Sequence, residues 1–114
     1  MDLYLPYIPH ARMDRVKSDE DVFTLKYFCE VINSLNFKRV FVRDAHSNVS
    51  LALINNVYDW GVRGYIEMAV EKSGAEVLFF PDEGAMKRYS EQSPMPYAFG
   101  MKKRDWQTGK ILGL

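Results

Sequence analysis

Arg12-Met13-Asp14-Arg15 sets two guanidinium groups around a carboxylate. Such forks suit phosphate oxygens and can also stack on a base. The same four residues also make a plain solvated turn closed by a local Arg–Asp pair. Asp44 and His46 follow the apolar run Val40-Phe41-Val42. A histidine there can ligate a metal, meet a phosphate or exchange a proton, or simply bond to neighbouring backbone. Asp82, in Pro81-Asp82-Glu83-Gly84, can hold Mg²⁺ or a sugar hydroxyl, and it is also what helix capping alone would choose. Lys102-Lys103-Arg104, with Trp106 nearby, can grip phosphates or form a solvated charged face. Cys29 lies on an apolar helical stripe and reads as core, not as a nucleophile.

These groups need a frame. Leu3 to Pro9 reads as a short strand running into a proline-broken loop. Ser18-Asp19-Glu20-Asp21 reads as an N-cap with an acidic first turn. Behind it Val22, Leu25, Phe28, Cys29, Ile32 and Leu35 recur at helical spacing, with Asn36 as the stop. Val40 to Val42 predicts a buried strand, and Val49 to Asn55 a helix burying Leu51, Ala52 and Ile54. Val62 to Lys72 predicts a helix closed by Gly74. Glu76 to Phe80 and Tyr97 to Met101 predict two more core strands, separated by a helix over Ala85 to Ser90. Gln107-Thr108-Gly109-Lys110 reads as a turn.

Strands alternating with helices imply an α/β fold with a parallel sheet. In such sheets ligands sit beyond the carboxyl ends of the strands. Asp44/His46, Asp82/Glu83 and Lys102/Arg104 all fall at predicted strand ends, so they are expected to face one cleft.

Composition narrows the classes. With 114 residues the chain is expected to form one domain, burying roughly two-thirds of its unfolded surface. Fifteen Lys+Arg balance fifteen Asp+Glu, which argues against a general nucleic-acid binder. No apolar run approaches the ~20 residues of a membrane span. Asp2, Pro6 and Pro9 interrupt any leader-type apolar segment. One cysteine cannot form an internal disulfide, which makes the cytoplasm the expected compartment. One cysteine and two histidines also exclude a four-ligand Cys/His zinc site.

Taken in order, Ile8-Pro9-His10-Ala11-Arg12-Met13-Asp14-Arg15, Asp44-Ala45-His46, Pro81-Asp82-Glu83-Gly84 and Lys102-Lys103-Arg104 resemble the central part of ribose-phosphate diphosphokinases, the phosphoribosyl pyrophosphate synthetases. Lys103-Arg104-Asp105 with Thr108-Gly109-Lys110 looks more like divergent phage-type or bacterial members. The resemblance implies part of a type I phosphoribosyltransferase-like fold. It implies an enzyme of nucleotide biosynthesis that moves the diphosphate of ATP onto ribose 5-phosphate with Mg²⁺. Arg12, Met13 and Asp14 stand at its ATP-binding positions, and Met13 replaces the glutamine more common there. His46 and Asp82 stand at metal-associated positions. Lys102 and Arg104 stand in the mobile catalytic loop, where Arg104 also meets the sugar phosphate.

The residue types suit that chemistry, since phosphoryl-type transfer asks mainly for positioning and neutralised charge. The family's Gly/Thr-rich sugar-phosphate loop is expected beyond Leu114, and its first strands before Met1. The chain therefore reads as the central portion of a longer enzyme, inactive alone. The family's habit of building ATP sites between subunits implies a homo-oligomer. Two other readings stay open: a non-catalytic regulatory or associated relative, and a nucleobase phosphoribosyltransferase.

Overall fold

The computed structural model describes every residue except Trp106, Gly109 and Leu114. The backbone groups into two compact units, Met1–Gly61 and Val62–Leu114. In the first, β1 (Asp2–Leu5), β2 (Arg39–Val42) and β3 (Val57–Asp59) form a parallel sheet in the order β1-β2-β3. The crossovers carry α1 (Thr24–Ser34) and α2 (Asn48–Leu53).

Alternation along the strands gives this sheet two different faces. Val40 and Val42 are buried, and Leu3, Leu5 and Val57 pack beside them against Leu25, Cys29 and Ile32 of α1. The intervening residues pair across the sheet as Tyr4↔Phe41 and Phe41↔Tyr58, so the opposite face is aromatic. Burial raises the Cys29 thiol pKa, as suits an inert core sulfur.

Three expectations change here. Asp21 does not lead a capped helix. Its Oδ2 accepts from the Lys17 and Ser18 amides at 2.8 and 3.2 Å, which closes a loop, and α1 starts only at Thr24 with no side-chain cap. A carboxylate that satisfies N–H groups upstream is not free to cap those downstream. Val22 and Leu35, just outside the helix, are consequently exposed. In α2 the buried residue is Ser50, while Ala52 is exposed and Ile54 is buried just past the helix end. β3 is a strand in a stretch that carries no strand pattern. It is held by Asn33, whose side chain donates to the Leu53 carbonyl and accepts from the Asn55 amide at 2.9 and 2.8 Å. Asn56 reinforces the entry by adopting φ 53° and donating from its side chain to the Phe37 carbonyl.

The second unit begins with α3 (Arg63–Ser73), which Gly74 ends in the left-handed conformation at φ 65°. β4 (Leu78–Phe80) and β5 (Tyr97–Phe99) pair in parallel around α4 (Glu83–Tyr89) and a 3₁₀ turn over Ser90–Gln92. Gln92 links two helices: its side chain accepts from the Val62 amide before α3 and donates to the Arg88 carbonyl of α4. β6 (Lys103–Arg104) and β7 (Ile111–Gly113) form an antiparallel hairpin. The two core strands expected here are thinly covered. Among the described residues of this unit the buried apolar side chains are Phe80 and Ala85, and all of β5 is exposed. A sheet of two strands has no central strand to bury. Among the described residues no helix is long and apolar enough to cross a membrane.

Candidate functional site

In the first unit the candidate residues sit on two loops that leave the carboxyl ends of β1 and β2. The first loop makes two successive turns, with the Ala11 amide donating to the Ile8 carbonyl and the Met13 amide to the His10 carbonyl. His10 takes φ 62° to allow this. The three-residue spacing turns Ile8, Ala11 and Asp14 inward and leaves Arg12, Met13 and Arg15 at the surface. In the second loop the Arg43 amide donates to the Leu5 carbonyl, and Asp44 adopts φ 54°. Ala45 is buried, His46 half-buried and Asp44 exposed.

Asp14 joins the loops. Its side chain is 3% exposed. Oδ2 accepts from the Ser47 hydroxyl at 2.6 Å and Oδ1 from Arg15 Nε at 3.2 Å. Burial pushes its pKa up, but the hydrogen bonds from Ser47 and Arg15 outweigh that and hold the carboxyl below its usual range. Ser47 also caps α2 by accepting from the Val49 amide, and its carbonyl accepts from the Ser50 hydroxyl. Ser47 is not among the candidates read from the sequence, though a serine just before an apolar run is a local signal for such a cap. The sequence carries no sign that the hydroxyl reaches back 33 residues.

In the second unit the sites lie beyond β4 and β5. Asp82 caps α4 through Oδ1, which accepts from the Ala85 amide at 2.8 Å. Its Oδ2 accepts from Lys102 Nζ at 2.5 Å. The Lys102 bond, then the Ala85 amide, hold the Asp82 carboxyl below its ordinary pKa. The loops approach closely: the Gly100 amide donates to the Phe80 carbonyl at 2.9 Å, and a Cβ on Gly100 would stand 2.9 Å from the Pro81 carbonyl oxygen. Lys103 and Arg104, expected in a loop, pair with β7, and Arg104 is exposed on β6. Asp105 organises the following turn by accepting from the Gln107 and Thr108 amides. Trp106 and Gly109, read earlier as a phosphate-site aromatic and a turn residue, lie outside the described residues.

The structure thus brings Arg12, Met13 and Asp14 into one assembly with the His46 loop, and Asp82 together with Lys102. A shallow cavity of about 180 Å³ at the carboxyl ends of β1 and β2 is lined by Tyr4, Pro6, Phe41, Arg43 and Trp60, not by Arg12 or His46. Among the described residues no three His, Cys, Asp or Glu side chains gather as a ready-made metal cage. Mg²⁺ does not require one, since it is commonly held by one or two carboxylates plus substrate phosphates and water.

No protein-family profile and no curated protein sequence matches the chain. Among solved structures it is similar to the phosphoribosylpyrophosphate synthetase from Mycobacterium smegmatis, with a TM-score of 0.71 and 18% sequence identity. The match covers 98% of this chain and 39% of that one. The likeness is one of fold: mixed α/β with parallel sheets.

Proposed function

We propose that the chain is the central part of a ribose-phosphate diphosphokinase-like protein, which transfers diphosphate from ATP to ribose 5-phosphate. The observation that carries this reading is the placing of polar candidates just beyond the carboxyl ends of β1, β2, β4 and β5, in a fold similar to a phosphoribosylpyrophosphate synthetase. In this reading the exposed Arg12 guanidinium meets the triphosphate, with Met13 beside the base. His46 faces the phosphates from the neighbouring loop. Lys102 and Arg104 neutralise charge on the transferring group, and Arg104 also receives the sugar phosphate. His46 in the first unit and, separately, Asp82 in the second would be the chain's own candidates for holding Mg²⁺, which when bound would supply positive charge to the phosphates. The chain spans 39% of the similar structure, and turnover is expected only with the remaining segments supplied.

The test is calorimetric titration with ATP and, separately, with ribose 5-phosphate, in the presence of Mg²⁺. Arg12→Ala is expected to weaken ATP binding by about tenfold or more, the worth of a charge-assisted hydrogen bond. Arg104→Ala is expected to do the same for ribose 5-phosphate alone. No affinity for either ligand overturns the reading. Binding of both, with no AMP released by a chain extended at both ends, favours the non-catalytic relative. Light scattering tests the homo-oligomer that this reading takes as the working state.

A further inference from the structure

We propose that Asp14 is a positioning residue that acts through Ser47, not a group that touches the nucleotide. This deepens, and rests on, the nucleotide reading of the first unit. A carboxylate that is 3% exposed, with Ser47 on one oxygen and Arg15 on the other, is withdrawn from solvent and already engaged at both oxygens. Its bond to Ser47 is a side-chain link between the loop carrying Arg12 and the loop carrying His46.

The link is anchored at both ends. On one side Asp14 follows Met13, whose carbonyl accepts from the Leu25 amide at 3.3 Å, and Leu25 is fully buried at the start of α1. On the other, Ser47 caps α2, and the buried Ser50 hydroxyl donates back to the Ser47 carbonyl. The short, charge-assisted bond between them therefore joins α1 to α2 above the sheet edge. Arg12 stands two residues before one end and His46 one residue before the other. The two loops, both seated on the core, form a cradle whose width this buried hydrogen bond helps to set. A ligand that needs both groups at once depends on that bond without touching it.

The test measures two quantities on the full chain in Asp14→Asn, Asp14→Ala, Ser47→Ala, Ser47→Thr and the double variant D14A/S47A. These are ATP affinity by calorimetry with Mg²⁺ and amide hydrogen exchange at Ala45 to Ser47. Ile32→Val, a core truncation on α1 that alters no residue of either loop, is the control. Asp14→Ala and Ser47→Ala are each expected to weaken ATP about tenfold, and the double variant no further, because both remove the same link. Ser47→Thr keeps the hydroxyl and is expected to retain affinity. Exchange at Ala45 to Ser47 is expected to quicken in both single variants and not in the control. Additive losses, or losses no larger than the control's, overturn the proposal. If Asp14→Ala does not fold, Ser47→Ala set against Ser47→Thr decides the matter, because an asparagine at position 14 can still accept from the Ser47 hydroxyl. If the unaltered chain binds no ATP, the nucleotide reading fails by itself. The link is then judged by exchange alone: quickening in Ser47→Ala with protection kept in Ser47→Thr upholds it, and control-like exchange in Ser47→Ala overturns it.

Discussion

The two units hold similar loops by different means. In Met1–Gly61 the strand-end loops are tied down to a continuous core that includes Ile8, Ala11 and Ala45 from the loops themselves. In Val62–Leu114 the corresponding loops are tied mainly to each other, through the half-exposed Asp82–Lys102 pair and the Gly100–Pro81 approach. The difference follows from sheet size. β2 is paired on both sides, which permits two buried valines. β4 and β5 pair only with each other, and Phe79 between two inward positions is 70% exposed. A core-anchored loop keeps its geometry before any ligand arrives, whereas a loop held by an ion pair can exchange partners. A positioning role suits the first arrangement and a moving cation the second.

The sharpest way to break this contrast is to truncate one apolar side chain in each unit. Leu25→Ala, at a fully buried position, is expected to destabilise the chain by about 2–5 kcal/mol, and Phe79→Ala by about 0.5 kcal/mol or less. Urea midpoints measure both, and equal losses would remove the distinction. Next in size is the buried carboxylate. Ser47→Ala leaves Asp14 short of a partner and is expected to cost about 1–3 kcal/mol.

The pH dependence has a definite sign. The folded Asp14 pKa lies below its ordinary value, so its contribution is full above about pH 4 and is lost as pH falls through the depressed folded value. Acid titration of stability should therefore be steeper for the unaltered chain than for Asp14→Asn.

Two glycines sharpen the comparison inside the second unit. Gly100→Ala would drive a Cβ against the Pro81 carbonyl and is expected to cost about 1–3 kcal/mol. Gly64→Ala, in the first turn of α3 with nothing within 4 Å, is expected to stabilise by about 0.4–1 kcal/mol. Smallest of all is Lys102→Met. It should change the melting temperature little, and should raise the Asp82 pKa toward its ordinary value in an NMR titration, because the largest lowering influence has been removed.

Local features were readable along the chain because they depend on near neighbours. The apolar stripe Leu25, Cys29, Ile32 produced a helix face, Gly74 took the left-handed conformation that ends α3, and Asp82 capped the helix that follows it. Residues one to four apart meet through the backbone geometry of a single turn, so type and spacing suffice. Asp44, His46 and Asp82 follow strands as the sequence suggested, since a polar run after a β-branched or aromatic one marks that boundary, whereas Arg104 falls within β6.

Only the tertiary structure decided what those clusters do. Asp14 looks no different from Asp44 in composition, yet Asp14 is buried against Ser47 and Asp44 is exposed. Lys102 meets Asp82 across 20 residues, a distance no local pattern reports. β3 has three residues, too few for a period, and forms because β2 offers it a free edge and Asn33 fixes its entry. Tyr97 to Phe99 carries a core-like pattern and stays exposed because its sheet ends at two strands. Burial is a property of what lies on the other side, and the chain's own residues at that position cannot encode it.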